Sequence, residues 1–367
     1  MNIGITGQSG FIGYHLTNYL SQKNFNVISI NKEDFSSDQK LNNALKNCNI
    51  IIHLAGMNRG PDKEVSDCNL QLASQLINAL EENNLTPVVI FASSTQEEMA
   101  NSYGRSKKEA TNLFIDWAIR NNANFSSLLL PNIFGPFCKP YYNSVIATFS
   151  YQLTHNQEPV IQIDRPLKLI YINDLVEKIH DVIEKPSKEY RVYLQADKEM
   201  RVSEILSLLK EFQKDYLKNH IFPSLNSSFE VNLFNTFRSY IEPDYFPIKG
   251  IIQSDERGNL VEAVKEKTGG QMFYSLTRPG KTRGNHYHRR KIERFFVIKG
   301  EALIKIRKIG SKEVFEYKLS GEEPSFVDIP IHYAHNITNT GSEDLITLFW
   351  TNELFNTQDT DTFSEKV

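Results

Sequence analysis

A chain of 367 residues, 40% of them apolar, is longer than one hydrophobic core usually serves and has the material for two. Its net charge of -3 and the absence of a dense lysine or arginine run exclude the electrostatic footprint of a nucleic-acid or anionic-membrane binder, and no apolar run approaches membrane-spanning length. Nothing at the start has the pattern of a signal peptide. Three scattered cysteines, Cys48, Cys68 and Cys138, suit reduced thiols rather than a disulfide framework or a cysteine metal site, so a cytoplasmic protein is expected.

The first element, Ile3-Gly4-Ile5-Thr6, reads as a buried strand, and Gly7-Gln8-Ser9-Gly10-Phe11-Ile12-Gly13 turns it into a helix from Tyr14. The three glycines serve a tight turn, a backbone bare enough for phosphate oxygens, and close helix-to-strand packing, with the helix N-terminus facing the anion. A second strand over 26–30 completes the βαβ unit of a dinucleotide site, although the glycine spacing is one residue wider at the front than G-x-G-x-x-G. Strands over 50–56, 88–91 and 125–130 then alternate with helices over 70–80 and 107–120, which predicts a doubly wound parallel sheet with helices on both faces. A further amphipathic helix is expected over 203–217, capped by Ser203, with Ile205, Leu208, Leu209 and Phe212 on one core-packing face. From about His220 a proline-punctuated crossover (Pro223, Pro243, Pro247) leads into short strands over 270–276, 293–298, 302–307 and 345–351, the pattern of an antiparallel barrel or jelly roll. The expected fold class is therefore an α/β domain over 1–243 followed by an all-β domain over 244–367.

After the 88–91 strand, Ser93-Ser94 is followed by Tyr103 and Lys107, one helical turn apart on one face. These are the parts of a hydride-transfer site. Ser94 would hold a carbonyl oxygen, Tyr103 would act as the acid, and the Lys107 ammonium is expected to lower the phenol's pKa toward neutrality. Cofactor choice falls to the end of the second strand, where Asn31-Lys32 replaces the acid that would bind the ribose hydroxyls of NAD, so NADP(H) is expected.

Together, Gly7 to Gly13, His53-Leu54-Ala55-Gly56, Ser93-Ser94, Tyr103 with Lys107 and Pro131-Asn132-Ile133-Phe134-Gly135-Pro136 resemble the extended short-chain dehydrogenase/reductase family over about the first 240 residues. The resemblance implies cofactor contacts from Gly7, Ser9, Gly10, Phe11, Ile12, Gly13, Leu54, Ala55 and Gly56, and places Asn132 at a nucleotide-sugar substrate. The family's arginine before the Asn-x-Phe-Gly-Pro motif is Leu129 or Leu130 here, which leaves Arg165 or Lys168 to anchor the phosphates. The segment Tyr171-Ile172-Asn173-Asp174-Leu175 also resembles a family segment near the substrate.

In the second half, His286 and His288 lie two apart and share a strand face, and Glu293 with the distant His335 completes a four-donor N/O set for one divalent ion, zinc by preference, with manganese, iron and nickel open. The spacing of Gly280, His286, His288, Glu293, Gly300, Pro330, His335 and Asn339 resembles the two motifs of the cupin family, with Pro324 and His332 standing at two of its glycine positions. Asp255-Glu256-Arg257-Gly258 and Arg283-Gly284-Asn285-His286-Tyr287 further resemble metal-free cupins that epimerise 4-keto nucleotide sugars. There the histidine matching His286 is the base; with His286 on a metal, the base would be His332, Tyr333 or a water on the ion.

The pairing of these two halves resembles the bifunctional reductase-cupin enzymes of capsular-polysaccharide synthesis. It implies a UDP-linked 4-keto-6-deoxy-HexNAc substrate, C3 epimerisation by the cupin and C4 reduction with NADPH to a 6-deoxy-talose-type N-acetylamino sugar on the way to N-acetyl-L-fucosamine. A homodimer is expected on symmetry grounds. The alternatives are a 4-keto-sugar reductase with a purely structural or dimerising cupin, and a non-catalytic NADPH sensor, against which Tyr103 with Lys107 argues.

Overall fold

The computed structural model describes residues 1–186, 189–250, 252–255, 258–261, 264–267, 270–353 and 356–367. Two compact units divide the chain: Met1–Thr148 with Gln162–Val202, and Phe149–Ile161 with Ser203–Val367.

In the first unit, β1 (Asn2–Thr6), β2 (Asn26–Ile30), β3 (Ile50–His53), β4 (Val88–Ser94), β5 (Phe125–Leu130) and a later strand over Arg191–Tyr193 form an all-parallel sheet, in which β1 lies between β2 and β3. Helices α1 (Phe11–Gln22), α2 (Asp38–Leu45), α3 (Asp62–Glu82) and α4 (Ser102–Asn121) make the crossovers. The strand order reverses at β1, with β2 on one side and β3 on the other, and such sheets bind ligands at the carboxyl ends of the strands flanking that switch. The continuous apolar runs are explained by burial: Ile51, Val89 and Phe91 pack against Leu76, Leu80, Phe114 and Trp117 from α3 and α4. The glycine-turn helix starts at Phe11 rather than Tyr14, because Gly10 already holds the capping position and its carbonyl accepts from Tyr14 N at 2.9 Å. A separate small sheet is built from β6 (Asn132–Phe134), β7 (Pro166–Tyr171) and β9 (Lys198–Arg201); the Arg191–Tyr193 strand is β8.

The second unit has two five-stranded antiparallel sheets. One runs β10 (Ile248–Lys249), β18 (Ser325–Ile329), β15 (Glu293–Lys299), β20 (Leu345–Thr351), β13 (Gln271–Thr277). The other runs β17 (Phe315–Ser320), β16 (Glu301–Lys308), β19 (Tyr333–Asn339), β14 (Thr282–Tyr287), β21 (Phe363–Ser364). Phe295, Val297, Val327 and Phe349 from the first sheet share one core with Ala302, Ile304, Ile306 and Ile337 from the second, which is the all-β second half expected from the sequence.

Two expectations need correction. The helix over 203–217 begins at Val202 and runs as α to Phe212, then widens into a π turn over Gln213–Lys218, so Ser203 is not its cap. The crossover after His220 contains a further helix, Ser228–Arg238, capped by Ser227 accepting from Glu230 N at 3.2 Å. Phe212, Tyr216, Phe222 and Phe234 pack on one another, and Phe222 stacks on Trp350 of β20 at 4.1 Å. Beneath them Arg294 and Asp328 form a fully buried bidentate pair at 2.7 and 2.9 Å, with the Tyr216 hydroxyl donating to the same carboxylate and Phe326 3.8 Å from the guanidinium. The cost of withdrawing both charges from water offsets most of their attraction, while removal of one partner would leave the other buried and unpaired.

Candidate active sites

At the end of β1 the turn is built on glycines that nothing else replaces. Gly7 has φ +69°, and a Cβ there would meet Ala55 N at 2.8 Å; a Cβ on Gly13 would meet Gly7 O at 2.3 Å. No side chain caps α1, so its first N–H groups are open to an anion, and the bare turn fits the pyrophosphate of a dinucleotide. Ser9 and Gly10 are exposed on this turn, with Phe11 and Ile12 half-buried behind them. The neighbouring loop is fixed to it: Thr6 Oγ1 accepts from Leu54 N (3.1 Å) and Ala55 N (3.0 Å) and is 2.8 Å from His53 Nδ1. Burial, helped by the charge on Lys107, pushes His53 down to about 3, which keeps it a neutral partner. Asn31 and Lys32 lie exposed beyond β2, where the Asn31 amide donates to Asp34 at 2.6 Å.

The structure brings Ser94, Tyr103 and Lys107 to the carboxyl end of β4. The Ser94 hydroxyl accepts from Gln96 N at 3.2 Å, which leaves its own proton for a carbonyl oxygen. Asn101 caps α4 by accepting from Gly104 N at 2.7 Å, and α4 presses so closely on the 95–98 turn that a Cβ on Gly104 would sit 1.9 Å from Gln96 O. Lys107 is buried, donates to Ala92 O at 2.8 Å, and lies 5.9 Å from the Tyr103 ring centroid. Its pKa is pushed down to about 8 by burial, against an upward pull from Glu97. The expected lowering of the Tyr103 phenol is corrected: burial, with the nearby Tyr142 phenol, pushes it up to about 12, because withdrawal from water outweighs an ammonium that points at a carbonyl. Tyr103 is thus held as a protonated acid.

Three residues that sequence reasoning missed organise this site. Asn69 bonds both the N–H and C=O of Met57 (2.7 and 2.9 Å) and reaches Ser106 Oγ at 3.0 Å, so one amide joins the 54–57 loop to α4. Buried Glu97 accepts from Ser93, from Thr111 at 2.8 Å and from Arg191 at 3.2 Å. Asn101 was legible as a cap three residues before Gly104; Glu97 and Asn69 carry no local signal. Of the expected substrate residues, Asn132 donates to Lys168 O at 3.1 Å across the small sheet, and Lys168 and Arg165 are exposed along and just before β7. The Asn132 segment is tied to α1 through His15 Nε2, 3.0 Å from Pro136 O.

In the second unit, one ligand atom each from His286, His288, Glu293 and His335 lies within 4.8 Å of all the others. Glu293 Oε2 is 3.0 Å from His288 Nε2 and 3.1 Å from His335 Nε2, yet none of these three buried atoms makes a hydrogen bond. Converging, unsatisfied donors of this kind fit a cation. Burial, then repulsion from His335 and His288, pushes His286 down to about 4; against burial, His288 and His335 hold the Glu293 carboxyl well below the usual carboxylate range. His332 stands at φ +59°, the left-handed region that a glycine at its motif position would favour, and its N–H donates to His288 O at 2.8 Å. Tyr333 packs against the core shared by the two sheets, and burial pushes its phenol up to about 12. Glu256 and Arg257 of the epimerase-like stretch lie outside the described residues.

A parallel sheet with a glycine turn at its switch point and a serine–tyrosine–lysine set beside it defines a dinucleotide-binding protein of the reductase and epimerase class. Residues 3–194 match the NAD dependent epimerase/dehydratase family, and the chain belongs to it; residues 253–363 match the polysaccharide biosynthesis C-terminal domain. Along its whole length the chain is 32% identical to UDP-2-acetamido-2,6-beta-L-arabino-hexul-4-ose reductase of Pseudomonas aeruginosa, covering 99% of that protein. It is similar over 100% of both chains to the crystal structure of the capsular polysaccharide assembling protein CapF from Staphylococcus aureus, at 34% identity and a TM-score of 0.65. RMD from Pseudomonas aeruginosa, solved with NADPH, matches 58% of this chain and 82% of its own at 21% identity and a TM-score of 0.52, a likeness of fold. Among the described residues no helix is long and apolar enough to cross a membrane.

Proposed function

We propose that this chain is a two-site nucleotide-sugar enzyme that epimerises a UDP-linked 4-keto-6-deoxy-HexNAc at C3 and reduces its C4 ketone, using NADPH. The observation that carries the reading is the presence, in one chain, of a proton-donor set around Tyr103 and a four-donor cluster around Glu293. The two relatives matched over their whole length support it, one by its name as a UDP-4-keto-sugar reductase and one as a capsule-assembling protein.

At the first site the glycine turn Gly7 to Gly13 would hold NADPH, which when bound would supply the hydride for C4. Tyr103, held protonated, gives its phenolic proton to the C4 oxygen as that oxygen gains charge, and the Ser94 hydroxyl donates a hydrogen bond to the same atom. Lys107 holds positive charge beneath them. Exposed Lys32 suits the 2′-phosphate of NADPH, while Asn132, Arg165 and Lys168 are the side chains we assign to the nucleotide sugar. At the second site the ketone acidifies the C3 hydrogen, and a base beside the cluster removes and returns it on the other face. A divalent ion held by His286, His288, Glu293 and His335, zinc by its donor set, would supply Lewis acidity there. We place the epimerase in the β-rich half from about residue 244 onward, supported by the helices that precede it.

Deuterium exchange at C3 and NADPH oxidation separate the sites. Tyr103→Phe should lose about 10²-fold or more in reduction, the scale of a general-acid contribution, and keep C3 exchange in deuterated buffer without NADPH. His286→Ala should lose exchange while still reducing a ketone already epimerised. Loss of exchange in Tyr103→Phe would leave a reductase with a structural β-rich half.

A further inference from the structure

The reading of His286, His288, Glu293 and His335 as a metal site leaves open what aims the side chains, and two of the donors, Glu293 and His335, are placed by their own strands. Glu293 is the first residue of β15, and His335 is set by its own strand, its Nδ1 3.1 Å from Tyr333 O. His288 differs. It lies just past the end of β14, and its ring is held by a segment 73 residues further along: His288 Nδ1 is 2.5 Å from Asp361 O.

A backbone carbonyl only accepts, so this contact puts the ring proton on Nδ1 and leaves the Nε2 lone pair facing Glu293 and His335. The carbonyl is itself held in place by its own side chain. Asp361 is buried, with φ +43°, and its Oδ2 accepts the backbone N–H groups of Arg289 (3.2 Å), Arg290 (2.9 Å) and Lys291 (3.0 Å). Those three residues form the turn that joins His288 to β15, where Glu293 begins. One aspartate therefore orients the ring of one donor by its main chain and closes the turn leading to another by its side chain. The surrounding segment has further anchors. Arg290 pairs with Asp359 at 2.9 Å, Phe363 stacks on Tyr287 at 5.3 Å, and β21 pairs with β14 with Ser364 opposite His286.

We infer that Asp361 is a positioning residue of the metal centre, setting the tautomer and aim of His288; this rests on the proposed metal reading. Outer partners of ligating histidines typically contribute about 10- to 100-fold to metal affinity.

The experiment is zinc titration of the full chain against a chromophoric chelator, comparing wild type with Asp361→Gly, which keeps the freedom to adopt φ above zero while removing the carboxylate. The expected result is a zinc Kd raised about 10- to 100-fold, with faster hydrogen exchange at the amides of residues 289–291 in the metal-free protein. A wild-type Kd in a folded Asp361→Gly protein overturns the inference, whatever the amides do. Wild-type protein that binds no zinc would instead overturn the metal reading itself. Should Asp361→Gly not fold, the nitrogen shifts of histidine in metal-free wild-type protein at pH 8.5 decide: the His288 signal, assigned by its loss in His288→Gln, must be that of an Nδ1-protonated ring. An Nε2-protonated ring overturns the inference.

Discussion

Lys107 is a charge kept where the fold would be more stable without it, and the size of that penalty can be worked out. Burial brings its pKa from the ordinary 10.5 to about 8, with Glu97 recovering only part of the loss. At about 1.4 kcal/mol per factor of ten in proton affinity, the gap is a penalty of about 3 kcal/mol on the charged, folded form. The folded protein holds this proton less tightly than the unfolded chain does, so the penalty is fully present below about pH 8 and disappears as pH rises toward 10.5. Stability should therefore rise by about 2 kcal/mol between pH 7 and 9.5 from this residue alone. Lys107→Met removes the penalty but leaves Ala92 O without its donor, an opposing loss of about 1–3 kcal/mol that does not depend on pH. The assay is urea unfolding of cofactor-free protein at several pH values, followed by the fluorescence of Trp117 in a Trp350→Phe background so that the first unit alone is read. Wild type minus Lys107→Met should slope upward across that window. Parallel profiles would refute the reasoning and leave Lys107 a neutral or solvated amine.

Lys32→Ala should reduce the ratio of kcat/KM for NADPH over NADH by about tenfold, the loss of one partly exposed charge contact to a phosphate; an unchanged ratio would mean the 2′-phosphate is read elsewhere. Protein purified without chelator should carry close to one divalent ion per chain by elemental analysis, and the His288→Ala/His335→Ala double variant should carry none. Asp328→Ala leaves the Arg294 guanidinium buried and unpaired and should cost about 3–5 kcal/mol in the unfolding of the second unit, whereas replacing both residues by apolar ones of like volume should cost far less.

Sequence periodicity located β2, β5 and β20 to the residue: β5 is buried along its whole length, and β20 is a run of apolar and β-branched residues. It found the ends of helices less well, since these depend on caps: Gly10 starts α1 three residues early, and the 228–238 helix was hidden among prolines although Ser227 and Glu230 form the start of a capping pattern. Both candidate sites were legible as sets of residue types at fixed spacings. What the spacing could not give was environment. The direction of the Tyr103 shift depends on how deeply the phenol is buried, and the roles of Asn69, Glu97 and Asp361 come from contacts with residues 12 to 94 positions away.

The division of the chain at 148/149, 161/162 and 202/203 means that neither unit is one unbroken stretch of the gene. A single crossover between two related genes near codon 243 would exchange the β-rich half and leave its helical cover, with Tyr216 and Phe222, on the other parent. The hybrid would then pair a foreign Asp328 and Arg294 with a hydroxyl and rings that did not vary with them. Moving the β-rich unit onto another reductase therefore requires residues 203–367 to travel together with 149–161.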